Sequence, residues 1–272
     1  MKASTPPCGR FPILTYHQIA EAPSKGSPHR NLYVSPSSFA RQMALLKMFG
    51  YAGLSISELQ PYLNGEKAGK VVGITFDDGY LNTLAHALPV LRQHGFSSTC
   101  YAVSSFVGKT NLWDEEHGVP QTPLMSGEEL RQWIASGQEV GAHTRSHADL
   151  LQIDDASSRH EIAAGKAELE AVLGQTVSHF SYPYGRFEAQ HIEMVKENGF
   201  ATATTTRQVR CSAPADLFRL PRIDVQRTMS SPIFSLTIAT PHADAWEALR
   251  GALRKARQFV RHPAPALPQH HR

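Results

Sequence analysis

Short apolar runs rich in β-branched and aromatic residues recur along this chain, and longer stretches with helical spacing separate them. Runs at Phe11–His17, Tyr51–Ser57, Val71–Phe76, Ser97–Val103, Glu139–Ala142, His179–Tyr182 and Ala201–Thr205 read as strands. Between them, Ser38 is placed to cap a helix through Gly50, with Phe39, Met43 and Leu46 on one face. Asn82–Gln93 reads as a helix that Pro89 kinks or splits, ending near Gly95. Ser126 and Glu129 form a capping box for a helix to Ala135, stopped by Gly137. Ser158 and Glu161 suggest a second box, for a helix to Leu173 with Gly174 beyond it. A further helix is expected over Glu188–Asn198, while Glu21–Arg30 and Asn64-Gly65 read as loop and turn. Strands alternating with helices imply parallel βα units. That pattern alone permits either a doubly wound sheet or a barrel.

Composition narrows the picture modestly. A chain of 272 residues suits one large α/β domain, and 41% hydrophobic with 19% charged residues is ordinary for a soluble globular protein. A net charge of +3 is too small to argue for nucleic acid as a partner. Cys8, Cys100 and Cys211 are widely spaced and odd in number, which favours a reducing compartment over a disulfide framework. The first ten residues lack the apolar core of a secretory signal, and no apolar run reaches the ~18 residues a spanning helix needs. A cytoplasmic location is therefore expected of the chain as written.

Two stretches carry candidate chemistry. In Val71-Val72-Gly73-Ile74-Thr75-Phe76-Asp77-Asp78-Gly79, adjacent carboxylates sit where a buried strand breaks into a turn. Buried carboxylates stay charged only beside something positive, and a metal ion is the simplest such partner. One carboxylate could bind it while its neighbour moves protons. Read alone, the same residues are also an acidic β-turn. In Gly141-Ala142-His143-Thr144-Arg145-Ser146-His147, two histidines lie four apart after a strand-like stretch. A tight turn or helix brings both to one side, and two imidazoles with one carboxylate make an open catalytic metal site. With 14 histidines in the chain, that spacing also arises by chance.

Together these stretches resemble the polysaccharide deacetylase family, whose shared unit is the NodB homology domain of carbohydrate esterase family 4. Thr75–Gly79 looks like its first motif, His143–His147 like its second, and Ser181-Tyr182-Pro183-Tyr184-Gly185 like its third, in the family's order. The resemblance implies a distorted (β/α)7 barrel over residues 11–228, with active residues at the C-terminal ends of strands. It implies a divalent metal, zinc first and cobalt, nickel or iron as alternatives, on Asp78, His143 and His147. Asp77 would be the general base, and the Tyr184 backbone N–H an oxyanion donor. Many relatives carry an Arg where this chain has Ser181, and Arg222 is the candidate substitute for holding Asp77. No late Leu-x-x-His motif supplies a general acid. Leu14-Thr15-Tyr16-His17 instead resembles the poly-N-acetylglucosamine deacetylase branch, which points to His17, with His242 as the alternative.

The resemblance implies an acetylated amino sugar as substrate, and an N-deacetylase serving a surface glycan or lipopolysaccharide. Pro183, Tyr184, Trp113, Tyr80 and Tyr33 are candidates to contact it, although such aromatics also serve packing. Trp133, in a capped helix, reads as core. Two alternatives stay open, a silent carbohydrate-binding domain and a hydrolase of non-sugar C–N bonds such as cyclic imides. Residues 229–261 form an extension in which Trp246, Leu249, Leu253 and Val260 recur at helical spacing beside Arg250, Arg254, Lys255, Arg257 and Arg261. Such a basic amphipathic helix is either a final barrel helix or a contact to the inner membrane surface, where a lipid-linked or nucleotide-linked sugar would be met. Residues 262–272, rich in Pro and His, are expected to be disordered.

Overall fold

The computed structural model describes residues 9–240. His242, the expected amphipathic helix and the C-terminal tail all lie outside the described residues.

Every strand in the main sheet is parallel to its neighbours, as strands separated by helical crossovers must be. In spatial order the strands are Thr202–Thr204, His179–Ser181, Glu139–Ala142, Thr99–Ala102, Val71–Phe76, Ile13–Tyr16 and Ile223–Asp224. An eighth, Ala52–Leu54, shares one edge of Val71–Phe76 with Thr99–Ala102. The segment after residue 216 closes the ring. Leu220 bridges Thr204 on one side, while Ile223 and Asp224 pair with Leu14 and Thr15 on the other. The architecture is thus the distorted (β/α)7 barrel, with Ala52–Leu54 as an extra strand. Ile13, Leu14, Tyr16, Val72, Ile74 and Phe76 are all fully buried, which explains their unbroken apolar runs.

Several helices differ from their expected starts, each for a local reason. The first spans Pro36–Met48 and is capped by Ser35, whose Oγ accepts from Ser38 N–H at 3.2 Å. Pro36 needs no hydrogen-bond acceptor in the first turn, so the serine before it becomes the cap. The stretch expected as one strand over Tyr51–Ser57 divides at Ser55, which caps a helix over Ile56–Leu63. Pro89 does split its helix, into a wide turn at Thr83–Ala87 and an α-helix at Leu88–His94. The Ser126–Glu129 capping box is present in both directions. The second expected box is not. That helix, Asp155–Leu173, begins earlier under an Asp154 cap, leaving Ser158 and Glu161 buried within it. Trp133 is core as expected, its indole N–H donating to Glu139 O at 3.0 Å.

Candidate active site

Parallel strands put all their C-terminal ends on one rim, and there the three motifs converge. Asp77 and Asp78 follow Val71–Phe76, His143 follows Glu139–Ala142, and the Pro183–Gly185 turn follows His179–Ser181. His17 leaves Ile13–Tyr16 at the same rim. Together Asp77, Asp78, His143, His147, His17 and Tyr184 line a cleft of about 100 Å³, enough for several waters or one small acyl group. A larger, shallow depression of about 730 Å³ lies beyond the N-terminal strand ends, lined by Lys47, Glu58 and Arg92. It holds none of the motif residues.

The backbone around the cleft is strained where the motifs lie. Five non-glycine residues among those described have positive φ: His29, Asp78, Thr144, His147 and Tyr184. Four belong to the motifs, and His29 lines the same cleft. Left-handed backbone at such residues costs free energy and clusters where side-chain aim matters. At Asp78 it breaks the strand's alternation, so two successive carboxylates face one cleft instead of opposite sides of the sheet. At Tyr184 the turn also requires glycine next. A Cβ on Gly185, itself at φ 65°, would fall 2.0 Å from Thr206 Oγ1.

The two carboxylates have opposite surroundings. Asp77 is gripped by Arg222, with Nη1 donating to Oδ1 at 2.6 Å and Nη2 to Oδ2 at 2.7 Å. Arg222 is fully buried and spends its remaining donors on Thr205 O, Thr75 Oγ1 and Ser181 Oγ, at 3.1, 3.1 and 3.0 Å. Ser181 therefore leaves room for a guanidinium that arrives from the closing strand, and hydrogen-bonds it. Burial alone would push the Asp77 carboxyl up, but the Arg222 charge, then His143, bring it below its ordinary value.

Asp78 has no such partner. Its Oδ1 is buried without a hydrogen bond, 3.6 Å from His143 Nε2 and 3.4 Å from His147 Nε2. His143 Nδ1 donates to the Ser181 carbonyl at 2.7 Å, which leaves a lone pair on Nε2 facing the carboxylate. Burial holds His143 neutral, pushing it down to about 4. The His147 Nδ1 lies 3.1 Å from the Tyr184 hydroxyl. Two imidazole nitrogens and one carboxylate oxygen, all within 4.8 Å of each other, thus converge on one point. Both rings are oriented through their far nitrogens, as metal-ligating histidines are. The donor set fits a divalent cation with open positions.

An outer layer holds the histidine loop. Glu161 accepts from Arg145 N–H at 3.0 Å, Ser146 N–H at 2.8 Å and Ser146 Oγ at 2.8 Å. One turn on, Gly165 packs against the Thr144–Arg145 peptide. Sequence reasoning spent Glu161 on helix capping and missed this contact, because only the packing of helix against loop reveals it.

Two expected substrate contacts are placed differently. The Trp113 ring stacks on His147, with centroids 4.8 Å apart and planes at 26°, and meets Phe106 edge-on. It backs a candidate ligand and does not stand on the cleft wall. Pro183 is buried in its turn and also lies off the wall. Tyr80 and Tyr33 do line the cleft, both largely buried. His29 and Asp114, which no sequence signal singled out, line it as well. They sit in irregular segments, where periodicity says nothing about direction.

Comparison with known proteins agrees with this geometry. A family model described as polysaccharide deacetylase matches residues 64–203, about half of the chain, and the chain belongs to that family. It is 26% identical over 204 residues to a chitooligosaccharide deacetylase of Azorhizobium caulinodans, covering 71% of this chain and 86% of that protein. A poly-β-1,6-N-acetyl-D-glucosamine N-deacetylase of Staphylococcus epidermidis is 24% identical over 204 residues, covering 71% and 68% of the two chains. Among solved structures, the Streptococcus pyogenes deacetylase PplD in complex with acetate superposes with a TM-score of 0.75 at 26% identity, covering 86% of this chain and all of that one. Carbohydrate deacetylation is the activity class these relatives support. No helix among the described residues is long and apolar enough to cross a membrane.

Proposed function

We propose that this protein is a metal-dependent N-deacetylase of an acetylated amino sugar, acting within residues 11–228 on a glycan or on a lipid-linked or nucleotide-linked saccharide. One observation carries the reading. Of two adjacent buried carboxylates, Asp77 is paired with Arg222, while Asp78 Oδ1 has no hydrogen-bond partner and faces one ring nitrogen each of His143 and His147. That division of labour suits a base beside a cation site. The poly-N-acetylglucosamine and chitooligosaccharide relatives favour an acetamido sugar over other acyl groups.

In this reading Asp78, His143 and His147 hold the cation. When bound, it supplies Lewis acidity, polarising the acyl oxygen and lowering the pKa of water. Asp77 takes a proton from the attacking water as the C–O bond forms. The Arg222 grip keeps Asp77 ionised and aimed for that step. The Tyr184 backbone N–H faces the oxyanion, a contribution typically of about 3 kcal/mol. His17 returns a proton to the sugar nitrogen as the C–N bond breaks, which yields acetate and a free amine. His17 lines the same cleft as Asp77 and Asp78, which supports that role.

Acetate release from N-acetylglucosamine oligomers and prenyl-phosphate-linked N-acetyl sugars tests this. Release should vanish on chelation, return with zinc, and be lost in Asp77→Asn while zinc still binds. Stoichiometric zinc without acetate from either substrate set would overturn the sugar deacetylase reading.

A further inference from the structure

The cleft contains a third carboxylate that this chemistry does not use. Asp114 lies on a 3-10 turn over Leu112–His117, and its side chain is 8% exposed. It lines the same cavity as Asp77, Asp78 and both histidines. Its ion-pair neighbour is His29 Nδ1 at 3.9 Å, too far for a hydrogen bond. Burial, then the negative charge of Asp78, raises its carboxyl above the ordinary value. Asn111 gives it one hydrogen bond, and a carboxylate with about four acceptor positions keeps capacity that a polar ligand can fill.

The segment is built to deliver this side chain. Asn111, fully buried, accepts from Thr122 N–H at 2.7 Å and donates to Pro120 O at 3.4 Å, which pins the two ends of the excursion together. Thr110 bridges Pro123, and Tyr80, on the cleft wall, bridges Leu124. Trp113, next to Asp114, is fixed against His147 by stacking. The turn is therefore registered to the histidine loop at one end and to the Asp77–Tyr80 turn at the other.

We propose that Asp114 is a substrate-binding residue, accepting hydrogen bonds from hydroxyl groups of the sugar ring that carries the acetamido group. It makes the site selective for an acetylated sugar over a plain acetamide. The inference rests on the deacetylase reading above. Sugar hydroxyls are the right chemistry because each brings a donor to an acceptor-only carboxylate, and hydroxyl–carboxylate bonds are short and charge-assisted. A hydroxyl-free acetamide offers its N–H to the reaction centre and nothing to Asp114.

The test compares wild type, Asp114→Asn and Asp114→Ala, each loaded with zinc and checked for fold by circular dichroism. Turnover is measured on an N-acetylglucosamine oligomer and on N-cyclohexylacetamide, and oligomer binding by calorimetry. The kcat/KM ratio of sugar to acetamide should fall at least tenfold in Asp114→Ala, mostly through KM, with a smaller fall in Asp114→Asn. Oligomer binding should weaken by about the same factor, the scale of one lost hydrogen bond to a charged group. An unchanged ratio, including an equal fall on both substrates as a merely structural role would give, overturns the inference. The deacetylase reading fails separately, if wild type releases no acetate from the oligomer. In that case weaker binding in Asp114→Ala still supports the sugar contact, and unchanged or absent oligomer binding overturns it.

Discussion

Replacing Gly165 by alanine tests whether helix packing holds the candidate metal ligands. In an ordinary helix this change stabilises, by about 1 kcal/mol. Here the added Cβ would lie 2.8 Å from Thr144 C, 2.9 Å from Arg145 N and 3.1 Å from Thr144 O, all backbone atoms. Comfortable contact begins near ~3.5 Å, so the Thr144–Arg145 peptide or the helix must retreat by roughly 0.7 Å. Overpacking of that kind costs about 1–3 kcal/mol, which offsets or exceeds the propensity gain. The peptide that must move lies between His143 and His147, and Thr144 and His147 already hold positive φ. A shift of this peptide would displace the imidazoles on either side of it relative to Asp78. We expect Gly165→Ala to weaken zinc binding by about 10–100-fold, the range seen when groups that orient metal ligands are lost. Its Tm without metal should change little or fall. Competition with a chromophoric chelator reads the affinity, and a melt in chelator reads the fold. A variant that melts higher than wild type and binds zinc equally well would refute the packing argument.

Other outcomes follow from the same geometry. Arg222→Met strands Asp77 as a buried, unpaired carboxylate, and should cost about 3–5 kcal/mol in urea unfolding at pH 7. Asp77 sits below its ordinary value in the wild type, so the pair's stability is present above the ordinary carboxylate value and is lost as pH falls from there through the lowered Asp77 value. In Arg222→Met that acid loss should disappear, because the unpaired buried Asp77 is relieved by protonation, while the acid limb of kcat/KM should begin at higher pH; an unshifted limb counts against Asp77 as the base. His143 has linkage of the same sign for a different reason. Burial keeps it neutral, pushed down to about 4, while the unfolded chain takes up the proton near ~6.5. Metal-free protein should therefore lose stability steadily from pH 6.5 toward 4, by roughly 2–3 kcal/mol. Equal urea midpoints at pH 7 and 5 would contradict that.

Much of this molecule was legible before any tertiary information. The run Val71–Phe76 reads as a strand because burial on both faces demands apolar residues throughout, and Asp-Asp-Gly reads as its end because glycine permits the turn. The histidine spacing and the third motif follow in the family's order, so the candidate metal residues were identifiable by position. Helix starts were less secure. Ser38 and Ser158 carry the same capping signal as Ser126, and only the competing Pro36 and Asp154 decide which helix begins where.

Tertiary structure decided what depends on distant segments meeting. Arg222 reaches Asp77 from 145 residues away because the closing strand pairs with Leu14 and Thr15, one place along the sheet from the strand that Asp77 ends. Glu161 and Gly165 act on the histidine loop because a crossover helix packs back over its own strand. Trp113, a candidate for either sugar contact or packing, stacks on His147, and Asp114 beside it lines the cleft. Local sequence determines which residues can turn, cap or alternate, since those preferences act over a few bonds. Which side chain faces which across the barrel is set by ring closure and packing, and no short-range preference encodes it.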